Sequence, residues 1–116
     1  MKPRCACGCG QRSANRHHAV YQAKLREVVR RETRDQRERG RRLSVLAADK
    51  RNLVWLAYDC HMAHHNRAPA LTLAKLPDSV FEFAAELLGP GEAFEYLRRR
   101  YDGQDARLDA LLAVAS

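Results

Sequence analysis

The four cysteines and five histidines of this sequence lie in two short stretches, residues 5–18 and residues 60–65. Cysteine thiolates and histidine imidazoles are the usual protein ligands of Zn²⁺, and histidine also transfers protons near neutral pH. The clustering therefore predicts metal binding together with acid–base chemistry. The members are Cys5, Cys7, Cys9, His17 and His18 in the first stretch and Cys60, His61, His64 and His65 in the second.

The second stretch has the spacing of a helical metal site. His61 and His65 are four positions apart, so a helix presents both imidazoles on one face. His64 is three positions after His61 and is the alternative partner. Cys60 points roughly 100° away from His61 around the helix axis, which makes it hard for both to hold one ion. Two different metal sites are therefore expected.

The thiolates are expected to form the structural site. Cys60 together with Cys5, Cys7 and Cys9 would supply the four sulfurs of a closed tetrahedral zinc. A run of three alternating cysteines must fold tightly to offer all its sulfurs to one ion. A site made of Cys5, Cys9, Cys60 and another ligand is therefore an open alternative.

His17 and His18 are expected to have different roles. Adjacent residues of an extended strand point to opposite faces, so one imidazole can face the metal while the other transfers a proton. Neither role requires a large cavity, which a chain of 116 residues has little room to build.

These residues carry a family resemblance. His17-His18, then Asn52-Leu53, then Cys60-His61 with His65 four later resembles the HNH endonuclease motif. The resemblance covers about residues 5–67. It departs from the family's zinc-bearing members at Ala57, where a second C-x-x-C pair would have its first cysteine. The long interval between the first histidines and Asn52 resembles an insertion.

The resemblance implies a ββα-metal fold and a residue role for each part of the motif. His18 is the expected general base, Asn52 orients it, and His17, His61 and His65 bind the catalytic ion. The implied activity is hydrolysis of DNA phosphodiesters that leaves 5′-phosphate and 3′-hydroxyl ends. Three imidazoles favour Zn²⁺, Ni²⁺ or Mn²⁺ over Mg²⁺, although Mg²⁺ stays open. The small size also resembles phage or prophage nucleases.

The hydrophobic pattern predicts the elements that position these residues. Short strands are expected over residues 17–21 and 52–57, a turn at Tyr58-Asp59, and a short helix over residues 60–67. A helix over residues 22–39, ended by Gly40, forms the insertion, and a basic link follows over residues 41–51. Helices over residues 78–88, 92–101 and 105–114 form a C-terminal extension. The expected class is α+β, with a nuclease core over residues 1–67 and a helical extension over residues 68–116.

The charge is uneven along the chain. Residues 1–67 hold 16 Lys/Arg and 6 Asp/Glu, whereas residues 68–116 hold 5 and 8. A basic half that also carries metal-type residues indicates a polyanionic partner, and DNA is the expected one. Arg30, Arg31 and Arg34 on the inserted helix are the expected DNA contacts. Acidic residues alternate with arginines along the same helix, and this pattern also fits a solvated, salt-bridged helix face.

Composition limits the other classes of function. The longest apolar runs, Leu53–Tyr58 and Ala110–Ala115, fall far short of the roughly 18 residues of a membrane span. No apolar stretch follows the basic start, so a cytoplasmic protein with reduced cysteines is expected. The alternative function is a zinc-binding module that binds DNA or a protein partner without catalysis.

The thiolate site can be tested by substituting one cysteine. Cys60→Ser is expected to lower both the zinc content and the thermal stability, because a closed zinc site contributes folding free energy. Elemental analysis and thermal unfolding measure the two effects. Unchanged zinc content and unchanged stability would contradict Cys60 as a ligand.

Overall fold

Two strands and five α-helices make up the described part of the chain. The computed structural model describes residues 4–6, 9, 15–56 and 71–115. The predicted α+β class is confirmed, with helices predominating. In chain order the elements are β1 (Asn15–His18), α1 (Gln22–Glu32), α2 (Gln36–Ala47), β2 (Leu53–Leu56), α3 (Asp78–Leu88), α4 (Pro90–Arg100) and α5 (Ala106–Ala115), with single 3₁₀ turns at Lys50–Asn52 and Leu73–Lys75.

The two strands form an antiparallel pair. His17 lies opposite Val54 and His18 lies opposite Leu53. Both predicted strands are therefore present, although β1 begins earlier and ends at His18. The predicted turn at Tyr58-Asp59 and the predicted helix over residues 60–67 lie outside the described residues, so the ββα-metal core stays a prediction.

The inserted segment contains two helices, and the prediction of one helix ended by Gly40 is wrong. α1 ends at Glu32 because Thr33 is extended, and Asp35 then caps α2 by accepting bonds from the N–H groups of Arg37 and Glu38. Gly40 lies inside α2, where glycine costs about 1 kcal/mol relative to alanine. The Asp35 cap and the burial of Leu46 offset that cost, and they extend the helix through most of the predicted basic link.

The three predicted C-terminal helices are all present. α3 has the predicted bounds, and α4 starts two residues earlier than expected because Pro90 suits the first helical position. Gly89 has a φ of 82°, a conformation that favours glycine, and it makes the turn between α3 and α4. α4 packs against both α3 and α5. None of the helices in the described ranges is long and apolar enough to cross a lipid bilayer.

A single hydrophobic cluster joins the strand pair to the C-terminal helices. It includes Val20, Leu25 and Leu56 from the first half of the chain and Phe83 and Leu97 from the second half. All five side chains are almost completely excluded from water. The strand pair and the C-terminal helices therefore share one core.

Arg107 fixes α5 to the rest of the C-terminal half. Its guanidinium donates to the carbonyl oxygens of Leu76 and Leu73 at 2.6 and 3.1 Å, and to the Asp105 carboxylate at 2.9 and 3.0 Å. It also lies 4.2 Å from the centre of the Phe81 ring. Because Arg107 donates to Asp105, it lowers the pKa of that carboxyl. Only the planar fork of arginine satisfies so many acceptors at once.

Arg107→Lys is expected to destabilise the fold by about 2 kcal/mol, because an ammonium keeps the charge but cannot bond both carbonyls and the carboxylate. Urea unfolding measures the loss. Arg99→Lys, at a largely exposed side chain, is the matched control and is expected to leave stability unchanged.

The same variant has a predictable pH dependence. A carboxyl with a lowered folded-state pKa stabilises above its ordinary pKa, and that contribution disappears as the pH falls through the folded-state value. The stability difference between the parent and Arg107→Lys is therefore expected to shrink below about pH 4. A difference that stays constant to pH 2 would contradict the contribution of Asp105.

Candidate functional site

The end of the strand pair brings three of the predicted site residues together. His17 and His18 are the last two residues of β1, and Asn52 directly precedes β2. The antiparallel register sets His18 beside Leu53, so Asn52 lies next to the point where the chain leaves β1. Asn52 is 34 positions after His18 in the chain, and strand pairing brings it next to the two histidines.

His17 and His18 have different environments, as strand alternation predicts. The His17 side chain is 2% exposed, whereas His18 is only partly buried. Pleating sends neighbouring side chains to opposite faces of the pair, and only one face is covered by the core. Of the two, His18 is therefore the imidazole that solvent reaches more easily.

Two contacts define the orientation of the His18 ring. Its Nε2 lies 2.9 Å from the carbonyl oxygen of Ala47, and its Nδ1 lies 3.5 Å from the side-chain nitrogen of Gln22. A carbonyl oxygen only accepts, so Nε2 carries the hydrogen and the neutral ring has its lone pair on Nδ1. Nδ1 is therefore the atom at which His18 can take up a proton.

Asn52 is completely buried and holds the turn after β1. Its Oδ1 accepts from the N–H of Val20 at 2.6 Å, and its Nδ2 donates to the carbonyl of Val20 at 2.9 Å. Its own carbonyl accepts from the N–H of Ala19 at 2.9 Å. The side chain of Asn52 thus bonds Val20, and the His18 ring bonds Ala47. The predicted orientation of His18 by Asn52 stays a prediction.

Two tyrosines of the C-terminal half also hold this turn. The Tyr101 hydroxyl donates to the carbonyl of Ala19 at 2.6 Å and lies 3.0 Å from Nε2 of His17. The Tyr96 hydroxyl accepts from the N–H of Tyr21 at 2.9 Å. Burial raises the pKa of both tyrosines, that of Tyr101 well above its ordinary value, so both hydroxyls keep their protons at neutral pH.

Sequence reasoning missed both tyrosines. The C-terminal helices show ordinary core periodicity, which treats Tyr96 and Tyr101 as apolar side chains. The available signal is that a tyrosine on a buried face must find a partner for its hydroxyl. That signal says that a partner exists, and it does not say that the partner lies more than 70 residues earlier in the chain.

The predicted metal ligands are only partly described. Cys5 is buried in the core, and the following residue, Ala6, donates its N–H to the carbonyl of Trp55 in β2 at 2.8 Å. Cys9 is exposed. Cys7, Cys60, His61, His64 and His65 lie outside the described residues. Within the described ranges alone, no group of three or more His, Cys, Asp or Glu side chains could hold a metal ion.

The predicted DNA contacts have three different surroundings. Arg31 donates to both carboxylate oxygens of Glu92 on α4, at 2.9 and 3.0 Å. Arg30 lines a surface depression of about 540 Å³ between α1 and α4, which also contains Arg99 and Arg100. Arg34 is exposed at the break between α1 and α2. Arg31 is therefore engaged within the protein, while Arg30 and Arg34 face solvent.

Comparison with family models, curated proteins and solved structures gives no match for this chain. The site is therefore interpreted from its own residues. Its defining features are a half-buried imidazole with a basic Nδ1, a buried imidazole bonded to a tyrosine, and a buried amide that clamps the turn between them and α1.

Asn52→Ala is expected to destabilise the protein by about 3 kcal/mol, because it leaves both the N–H and the carbonyl of Val20 buried without their partner. Asn52→Asp is expected to be at least as damaging, because it turns a carboxylate oxygen toward that carbonyl. Denaturant unfolding gives both values. Gln104→Ala, which removes an exposed amide, is the control. If Asn52→Ala were as stable as this control, the bonds from Asn52 to Val20 would not stabilise the turn.

Proposed function

We propose that this protein is a metal-dependent endonuclease of the HNH type that hydrolyses DNA phosphodiester bonds. The observation that carries the proposal is the geometry of His18 at the end of the strand pair. Its Nε2 is bonded to a main-chain carbonyl, its Nδ1 has the lone pair, and its side chain is partly exposed. A general base needs a basic nitrogen, a fixed ring and access to water.

In the proposed reaction, Nδ1 of His18 removes a proton from the water that attacks the phosphorus. The bond from phosphorus to the 3′ oxygen breaks, and the products carry 5′-phosphate and 3′-hydroxyl ends. The bond to Ala47 stabilises the ring in this orientation. Asn52 keeps the turn after β1 in place, and Arg30 and Arg34 contact the phosphate backbone. These contacts contribute sequence-independent affinity.

The metal would be held by His17 together with His61 and His65, which follow β2 in the chain. An imidazole donor set suits Zn²⁺, Ni²⁺ or Mn²⁺ better than Mg²⁺. His17 suits this role, because a histidine that binds a metal through one ring nitrogen usually donates the N–H of the other to an oxygen, and the Tyr101 hydroxyl provides one. When bound, the ion would supply positive charge that stabilises the phosphate in the transition state. A separate zinc held by Cys60 and the N-terminal cysteines would be structural.

A non-catalytic zinc-binding module is the second candidate function, and one observation favours it. His17 and Asn52 both make buried hydrogen bonds that stabilise the turn whether or not any reaction takes place. Under this alternative, the motif residues are retained for folding alone, and His18 has no chemical task.

The two functions are distinguished by cleavage of supercoiled plasmid with Mg²⁺, Mn²⁺, Ni²⁺ or Zn²⁺. The parent is expected to cut, and His18→Ala is expected to lose roughly 10²–10⁴-fold in single-turnover rate at saturating metal. The variant should still fold and bind DNA, as checked by circular dichroism and a binding assay. Added imidazole is expected to restore part of the lost rate, because it can replace the missing base.

Ser44→Ala is the control, since Ser44 is an exposed residue of α2 whose hydroxyl bonds within its own helix. It is expected to cut at the parental rate. An inactive parent with all four metals, or a His18→Ala variant as fast as the parent, would overturn the nuclease proposal.

A further inference from the structure

Tyr101 makes a specific contact with His17 from the far end of the chain. It directly follows α4, and its hydroxyl lies between the carbonyl of Ala19 and Nε2 of His17, at 2.6 and 3.0 Å. Tyr101 and His17 are each 2% exposed. The Tyr21 ring contacts His17 edge-on, with ring centres 5.4 Å apart. The imidazole is therefore enclosed by two tyrosines.

The single proton of the Tyr101 hydroxyl determines the state of the His17 ring. A carbonyl oxygen cannot donate, so the hydroxyl proton lies on the bond to Ala19. The bond between the hydroxyl and His17 then requires that Nε2 donates. His17 is accordingly the tautomer with hydrogen on Nε2, and its lone pair lies on Nδ1.

We infer that Tyr101 is a positioning residue that fixes His17 in this tautomer, so that His17 binds the catalytic ion through Nδ1. The metal part of this inference rests on the proposed function. The oxygen that sets a histidine ligand's tautomer usually belongs to a carboxylate, a main-chain carbonyl or a water. Here a tyrosine hydroxyl has that task, and its own proton is committed to Ala19. The C-terminal half thus contributes a positioning residue to the proposed metal site.

Tyr96 provides a matched comparison within the same half of the chain. Its buried hydroxyl also bonds the turn, but it accepts from the main-chain N–H of Tyr21. Tyr96→Phe and Tyr101→Phe each remove one buried hydroxyl and one main-chain bond. A purely structural role for Tyr101 predicts equal consequences, whereas the positioning role predicts an effect on His17 from Tyr101→Phe alone.

The first measurement is the tautomer of His17 by ¹⁵N NMR of the metal-free parent. We expect hydrogen on Nε2 and an unprotonated Nδ1. Tyr101→Phe is expected to replace this single state with a mixture, and Tyr96→Phe is expected to keep it. Hydrogen on Nδ1 in the parent would overturn the inference without the need for any variant. A single, unchanged tautomer in Tyr101→Phe would also overturn it.

The second measurement is Ni²⁺ affinity by calorimetry, on protein whose thiolate site already holds zinc. Tyr101→Phe is expected to bind Ni²⁺ about 10- to 100-fold more weakly than the parent, and Tyr96→Phe within about twofold of it. Equal losses in both variants would overturn the positioning role. If the tautomer depends on Tyr101 but the parent binds no Ni²⁺, the proposed metal site fails while the control of His17 by Tyr101 stands.

Discussion

The turn between β1 and α1 buries main-chain groups that must all find hydrogen-bond partners away from water. An unpaired buried N–H or C=O costs about 1–3 kcal/mol, at least as much as an ordinary hydrogen bond contributes. Asn52 bonds both groups of Val20, Tyr101 bonds the carbonyl of Ala19, and Tyr96 bonds the N–H of Tyr21. The path of the chain just after His17 and His18 depends on these three side chains.

This requirement unites the two halves of the chain. Asn52 directly precedes β2, Tyr96 lies in α4 and Tyr101 directly follows α4. The three side chains meet at one turn. The hydrophobic cluster also contains residues from both halves of the chain, packed in one core. A candidate site that the motif assigns to the first 67 residues is therefore supported by side chains outside that range.

The uneven charge of the sequence has a partial explanation in the same packing. On the surface shared by the two halves, Lys24 and Arg31 both bond Glu92, and Arg51 bonds Glu86 at 2.6 Å. The bonds from Arg31 and Lys24 lower the pKa of Glu92. Part of the basic excess of the N-terminal half thus balances the acidic excess of the C-terminal half. Exposed cations such as Arg30 and Arg34 remain available for the proposed contacts with DNA phosphates.

The sequence by itself determined those features that depend on neighbouring residues. Strand alternation separated His17 from His18, and apolar periodicity located the three C-terminal helices. The prediction that Gly40 ends a helix was wrong, because the burial of Leu46 and the Asp35 cap outweigh the weak helix preference of glycine. Periods of two and 3.6 residues express local geometry, which short windows of sequence contain.

The tertiary structure alone decided which partners the polar side chains find. The motif named Asn52 and His17, but packing determined that Asn52 bonds Val20 and that His17 bonds Tyr101, 84 positions away. Packing likewise chose the carbonyl of Ala47 as the partner of His18. A hydrogen bond requires a donor–acceptor distance that is correct to within a few tenths of an ångström, between atoms that chain folding brings together. No local pattern encodes such distances, so the residue types could be read from the sequence and the contacts that orient them could not.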